Sequence, residues 1–529
     1  MLASLADAAP TGHGGADVVW RMAAGAVVPL LTVYARRWAW FVLVAGTAVA
    51  GQGWMVVFVA AALGLTLAAA FRFERRRWMG AVVGALAVQV LLRGVTYWFL
   101  GAPTVVSLLV CIPILVSGLR NGPRRLQAAA GGLALVLSLA AVALTVTTTV
   151  SALQAKDRIT RGLDLAEEAV DLARDGDTSA ASQLLQAAEA EFDAVAADLG
   201  KPWTAPAQAV PVLGQHSGAL RDLSRQAARV AGAASDVLGR LDPDELTLDA
   251  GAIDLRVVRG LQAPMSDLVA ELDRSITEID AAQNQWLVSI ARDRLVEARD
   301  ELASNVGDVR DANDLLDIVP GLFGGDGERR YLVLFVTPAE SRASGGFAGN
   351  WAELTARDGQ LNVTAVGRGN DLNALVADLP QGVPIDPEYL SLHAAYSPNR
   401  FFQNITASPD FPTVAGAAAV FYETATGRPV DGVVSLDASA LAALLELTGP
   451  VTIDGLRLGA DNVEQWVLRD QYVQFDDDED GREAVLNGLV VAAFDQFTTT
   501  SLPSPWRLSE VLGPVVRRGE LVFVAFDEA

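Results

Sequence analysis

The spacing of apolar residues along the chain changes twice, and each change marks a different kind of structure. Between residues 38 and 71 there is no charged residue, and further apolar runs cover 78–100, 104–119 and 126–150, separated by Arg clusters. A helix needs about 20 apolar residues to cross the hydrocarbon of a bilayer. Once 38–71 is divided at Gly51-Gln52-Gly53, the runs predict five transmembrane helices. From 151 to about 325 the apolar positions fall three and four residues apart, as in Leu163, Ala166, Val170, Ala173 and in Leu184, Ala188, Phe192, Val195, Leu199. That period predicts amphipathic helices in a bundle or stalk. A hairpin is expected within it at 246–258, turning at Asp249-Ala250-Gly251.

At Tyr331 the period changes again. The unbroken run Tyr331-Leu332-Val333-Leu334-Phe335-Val336 fits a strand buried on both faces. Strands at 350–356 and 361–366 are joined at Asp358-Gly359, a type I′ hairpin signal. Helices then alternate with strands: helix 413–426, strand 430–436, helix 437–447, strand 451–453, helices 460–470, 482–497 and 505–516, strand 521–526. The chain thus divides into a cytoplasmic N-terminal segment (1–36), a five-helix transmembrane domain (37–150), an extracytoplasmic helical stalk (151–328) and a C-terminal α/β layered domain (329–529).

Composition supports the lipid reading. The 529 residues are 51% hydrophobic, and the mean hydropathy is +0.30. Residues 1–150 hold 11 Arg, no Lys and three acids (Asp7, Asp17, Glu74), a net charge of +8, whereas the rest carries 29 basic and 60 acidic residues, a net of −31. The clusters Arg36-Arg37, Arg72 with Arg75-Arg76-Arg77, and Arg120 with Arg124-Arg125 mark the cytoplasmic side. With five spans, the protein is multi-pass in the plasma membrane, its N-terminus cytoplasmic and everything after Val150 outside. Arg93, inside a span, either snorkels to the interface or serves a function, and Gly80 and Gly84 form a GxxxG.

The charge excludes nucleic acid as a partner, because a −31 region is repelled by phosphate backbones. One cysteine, Cys111, rules out a disulfide framework. His13, His216 and His393 are the three histidines, so neither an HExxH pair nor a Ser/His/Asp hydrolase is expected. His216 and His393 read as structural, and Trp351 as a strand-face core residue. The run from Asp476 to Asp480 fits the first half of a calcium loop, but its twelfth position is Asn487, and an acidic loop capping the next helix suits it better.

Residues 332–351, LVLFVTPAESRASGGFAGNW, with TGRPVDGVVSLDASALAALLELTGPVTI from Thr426, resemble the bacterial domain of unknown function numbered 4012, found in membrane-anchored envelope proteins. VPVLGQ at 210–215 extends the resemblance into the stalk. A more distant similarity, carried by Thr426, Gly427, Val430, Asp431, Val434 and Asp437, is to LytR-CpsA-Psr ligases, which move glycopolymers from a polyprenyl diphosphate carrier to the cell wall. By that resemblance Arg342, Arg368, Arg482 and Asn404 bind the diphosphate. Glu340 and Asp371 are the available catalytic carboxylates, with magnesium as cofactor if the domain is catalytic. The ligases' acid after D-x-R has no counterpart in Ser344-Gly345-Gly346-Phe347, and Gly369 stands where they have Asp. Metal-assisted phosphoryl transfer needs such carboxylates to position the cation.

Independently of the resemblance, Arg342 sits in a Gly/Ser loop directly after a buried strand, where backbone amides can hold phosphate oxygens. A tight turn with Arg342 in a salt bridge accounts for the same residues. The expectation is an actinobacterial-type envelope protein that binds or transfers polyprenyl-phosphate-linked glycopolymer. Its partners are membrane lipid, the lipid-linked glycan, a cell-wall acceptor and envelope-assembly proteins. The alternative is a non-catalytic scaffold for polysaccharide assembly.

Overall fold

The computed structural model describes residues 2–6, 8–9, 11–50, 53–71, 77–93, 102–210, 213–242, 245–283, 287–476 and 478–526. The chain forms two compact units, one of Met1–Asp171, Ala180–Ser235 and Asp267–Asp308, the other of Leu172–Ser179, Asp236–Ser266 and Val309–Ala529.

The first 325 residues are mostly helical. Their helices are α1 (Gly14–Tyr34), α2 (Arg37–Ala50), α3 (Val56–Phe71), α4 (Arg77–Arg93), α5 (Ala102–Asn121), α6 (Arg124–Arg174), α7 (Thr178–Leu199), α8 (Ala205–Gln208), α9 (Leu213–Arg240), α10 (Leu255–Ala282) and α11 (Ser289–Leu322). In the first unit, Leu31, Trp40, Leu43, Met79, Val83 and Ile114 pack into one core. The GxxxG brings backbones together there: a Cβ on Gly80 would lie 2.8 Å from the Thr32 carbonyl oxygen, and one on Gly84 2.7 Å from Pro29 Cα. Small residues permit this approach of α4 to α1. The N-terminal end of α1 is fixed by the buried Asp17, whose Oδ1 accepts from the Thr11 amide and hydroxyl, both at 2.7 Å.

The expected five spans are overturned. Helices α2, α3 and α4 have 14, 16 and 17 residues. At about 1.5 Å per residue each falls short of the ~30 Å hydrocarbon. Among the described residues one helix, α1 with 21 residues, is long and apolar enough to cross a membrane, and it lies in the stretch expected to be a non-spanning N-terminal segment. Absence of charge does not fix span length. Val150 is not a helix end, because α6 runs unbroken from Arg124 to Arg174, 51 residues in all. Several features used in the sequence reading, Gly51, Gln52, Arg72, Arg75, Arg76, residues 94–101 and 211–212, lie outside the described residues.

The hairpin expected at 246–258 is a second correction. Asp249 and Ala252 form a single antiparallel bridge, Ala252 makes another with Gln360, and the chain turns helical at Leu255. Leu255, Val258 and Leu261 are buried at three-residue spacing, so helix period rather than alternation decides the segment.

The second unit contains a mixed α/β domain. Strands β1 (Arg329–Thr337), β2 (Phe347–Arg357), β3 (Gln360–Arg368), β4 (Gly432–Leu436) and β7 (Leu521–Ala525) form a five-stranded sheet in the order β3-β2-β1-β4-β7. The neighbouring pairs are antiparallel except β1 with β4, which is parallel. Asp358 (φ 50°) and Gly359 (φ 88°) both take the positive φ that a type I′ turn requires. Strands β5 (Val451–Ile453) and β6 (Leu456–Leu458) make a separate two-stranded sheet.

Alternate residues of β1 feed different cores, which explains its unbroken apolar run. Leu332, Leu334 and Val336 pack with Phe421 and Tyr422 of α14 (Phe411–Thr426). Val333 and Phe335 pack with Leu441 and Leu445 of α15 (Ala438–Thr448) and with Leu489 and Phe494 further on. The remaining helices are α12 (Gly369–Leu375), α13 (Pro387–His393), α16 (Val463–Gln465), α17 (Gln471–Phe475), α18 (Glu479–Thr499) and α19 (Pro505–Arg517). A single π turn, Trp466–Asp470, joins α16 to α17.

Candidate functional site

A cleft opens at the carboxyl ends of the parallel pair β1 and β4, where open α/β sheets tend to bind ligands. The end of β1 contributes Phe335 and Thr337, the following loop Glu340, β2 Phe347 and Asn350, and the end of β3 Arg368. The opposite wall is Asp437, Gln471 and Tyr472, and Arg482 and Glu483 from the first turns of α18. Deeper, Leu441, Val467 and Leu489 make it apolar.

The six expected site residues fall into two groups. Glu340, Arg368 and Arg482 line the cleft, whereas Arg342, Asn404 and Asp371 are not among its lining residues. Arg482 lies over the Tyr472 ring, 4.7 Å from its centroid, and the Tyr472 hydroxyl donates to Glu340 Oε1 at 3.2 Å. Burial, and after it the Glu340 carboxylate, pushes the Tyr472 phenol above its ordinary pKa, so it stays a neutral donor. Arg368 is more constrained: Nη1 donates to Glu483 Oε2 at 2.9 Å, and Nη2 lies 3.4 Å from Asp371 Oδ1. Asp371, with Glu483 behind it, raises the Arg368 pKa further.

Asp371 is a helix cap. Its Oδ2 accepts the Arg368 amide at 2.9 Å at the start of α12. Arg342 is a structural tie, donating from Nε and Nη2 to Asn404 Oδ1 at 3.0 and 2.8 Å. Its guanidinium also sits 5.6 and 5.5 Å from the ring centroids of Phe347 and Tyr396. The Gly/Ser loop is closed by the same segment. The Ser344 amide donates to Thr406 O at 3.0 Å, its hydroxyl to Ser408 O at 2.6 Å, and the Thr406 hydroxyl to Gly346 O at 2.6 Å. Gly346 (φ 112°) must be glycine, since a Cβ would fall 1.9 Å from the Thr337 carbonyl oxygen.

Other residues weighed in the sequence are also structural. His216 Nε2 accepts the Val288 amide at 3.1 Å, and His393 packs on Tyr389. Trp351 is buried and donates to Arg368 O at 3.1 Å. Asp478 caps α18 by accepting the Gly481 amide at 3.0 Å, while Asp477 lies outside the described residues. Among the described residues no three His, Cys, Asp or Glu side chains are grouped to hold a metal ion. With Glu340 on Tyr472 and Asp371 capping a helix, the donor set does not fit a resident magnesium ion.

Polar lining residues without a candidate role in the sequence include Asn350, Asp437, Gln471 and Tyr472. Asp437 belongs to the ligase-like motif. It caps α15 by accepting the amides of Ser439 and Ala440 at 2.9 and 3.0 Å. Burial, with the Glu520 carboxylate adding to it, raises its pKa. Gln471 and Tyr472 follow the π turn, which inserts one residue into a helical turn and rotates the face after it. No period in the sequence signals such a turn.

Together these features define a mixed α/β domain with a partly apolar cleft, ion pairs at its mouth and amides within. Residues 326–472 match the family model described as "Protein of unknown function (DUF4012)", so the chain carries a DUF4012 domain over that segment. The match covers every expected site residue except Arg482 and leaves out the preceding helical region. No curated protein and no solved structure matches the chain.

Proposed function

We propose that this is a membrane-attached bacterial envelope protein whose DUF4012 domain binds a phosphate-bearing, lipid-linked glycan without transforming it. The observation that carries this reading is the cleft at the ends of β1 and β4, with Arg482 on its wall and an apolar floor beneath. An amphiphile with an anionic head suits that combination. Binding is favoured over phosphotransfer because Glu340 and Asp371 are engaged in holding Tyr472 and α12. Helix α1 supplies the membrane attachment. Trp20, Met22, Val27 and Leu30 leave its outer face apolar and exposed.

The test is native mass spectrometry of the detergent-purified protein. A polyprenyl phosphate or diphosphate lipid should accompany the wild type and Arg342→Ala but be lost from Arg482→Ala. Retention by Arg482→Ala, or an empty wild type, refutes the reading. The proposal also places the DUF4012 domain outside the plasma membrane, so protease added to intact spheroplasts should degrade it. Protection there would refute that sidedness.

A further inference from the structure

The cleft contains two amide groups that each have one buried atom without a hydrogen-bond partner. Asn350 and Gln471 are 9% and 1% exposed, and Asn350 Nδ2 and Gln471 Oε1 have no hydrogen-bond partner. Both residues line the cleft. The orientation of Gln471 is fixed, because its Nε2 donates to the Val467 carbonyl one turn earlier, which leaves Oε1 as an acceptor. The neighbouring amides behave differently. Asn373 Nδ2 donates to Gln403 Oε1 at 2.7 Å, and Gln403 Nε2 donates to Asn370 Oδ1, a closed set. Buried donors and acceptors are rarely left unmade, since each forfeits its hydration without recompense.

We infer that Asn350 and Gln471 read uncharged hydroxyl groups of a sugar. This rests on the cleft being the glycan site proposed above. A hydroxyl both accepts and donates, so one sugar ring can take the Asn350 N–H and give a proton to Gln471 Oε1. A charged group would leave one of the pair unmatched: an anion offers Gln471 no donor, and an ammonium offers Asn350 no acceptor. The ligand that this pairing fits is a glycosyl phosphate, its hydroxyls on the two amides and its phosphate at Arg482.

The experiment is titration calorimetry of the detergent-solubilised full chain with glucose 1-phosphate and with cyclohexyl phosphate, a ring of similar size without hydroxyls. Two neutral hydrogen bonds predict that the wild type prefers glucose 1-phosphate by about tenfold or more. Gln471→Met and Asn350→Leu should bring that ratio close to one while cyclohexyl phosphate binds at least as tightly as to the wild type, which also shows that the variants are folded. If both phosphates bind equally to the wild type and both are lost from Arg482→Ala, the cleft reading stands and the amide inference falls, the amides then holding only water. If neither phosphate binds, both readings fall.

Discussion

Glu353 offers the sharpest test of how the α/β domain is held together. It lies in the middle of the sheet on β2, and its side chain is 2% exposed. Oε2 accepts the Tyr422 hydroxyl at 2.7 Å, Oε1 accepts the Thr364 hydroxyl at 2.7 Å, and Arg428 Nη1 and Arg330 Nε lie 3.3 and 3.6 Å away. Burial, then the Glu353 hydrogen bond, pushes the Tyr422 phenol well above its ordinary pKa, so it donates as a neutral hydroxyl. Removing one partner of a buried ion pair costs about 3–5 kcal/mol. Here Arg428 and Arg330 keep 41% and 25% of their side chains exposed and can recruit water. That lowers the expected cost of Glu353→Ala to about 2–4 kcal/mol. In native-state hydrogen exchange read by mass spectrometry, protection of the most protected β2 amides should drop by between about 30-fold and about 900-fold. Glu353→Gln keeps the acceptor for Tyr422 and should cost about half as much. A change under about fivefold in Glu353→Ala would refute the reasoning, because it would mean that the carboxylate's desolvation cancels all its contacts.

Three further outcomes follow from local geometry. Gly346→Ala should cost at least about 2 kcal/mol, read as a lower denaturant midpoint, since a Cβ meets the Thr337 carbonyl oxygen; an unchanged midpoint would mean that the loop is not closed as described. Asp437 has a folded pKa above its unfolded value of about 3.9, so it weakens folding at pH values above both and not below them. Asp437→Asn keeps a good cap and should be more stable than wild type at pH 7, with the difference vanishing below about pH 4; a variant less stable at pH 7 would overturn the sign. Gly84→Leu should break the approach of α1 to α4, seen as faster proteolysis of α1, and unchanged proteolysis would show that the approach is dispensable.

Residues that occupy two environments in strict alternation were readable in the sequence. The β1 run, the Asp358-Gly359 turn and the helix expected at 413–426, which is α14, follow from period and turn chemistry alone. Span count was not readable, because a charge-free stretch fixes composition but not where helices break. Thus 38–71 yields α2 and α3, too short to cross, while α1 is masked as a span by Asp17 and Arg21 in its first turns. Short elements such as α12 and α13 carry too few residues for a period, and their capping acids, Asp371 and Asp386, were the remaining signal.

The candidate site was half legible for a related reason. Sequence indicates that an arginine needs a partner but not which one, and the three Arg of the expected clamp resolve differently. Arg342 has an amide and two rings, and Arg368 two carboxylates. Arg482 has an aromatic face at the cleft wall, held in turn by Glu340 through Tyr472. Losing the ligase-like acids therefore does not leave an empty copy of a transfer site. The acids that remain hold helices and rings, and the cleft lining carries Arg482 together with two amide atoms, Asn350 Nδ2 and Gln471 Oε1, that lack a hydrogen-bond partner. A ligand that satisfies both must carry an anion and neutral hydroxyls in one rigid piece. That requirement separates a glycosyl phosphate from a plain lipid phosphate, which would leave Asn350 and Gln471 as they are.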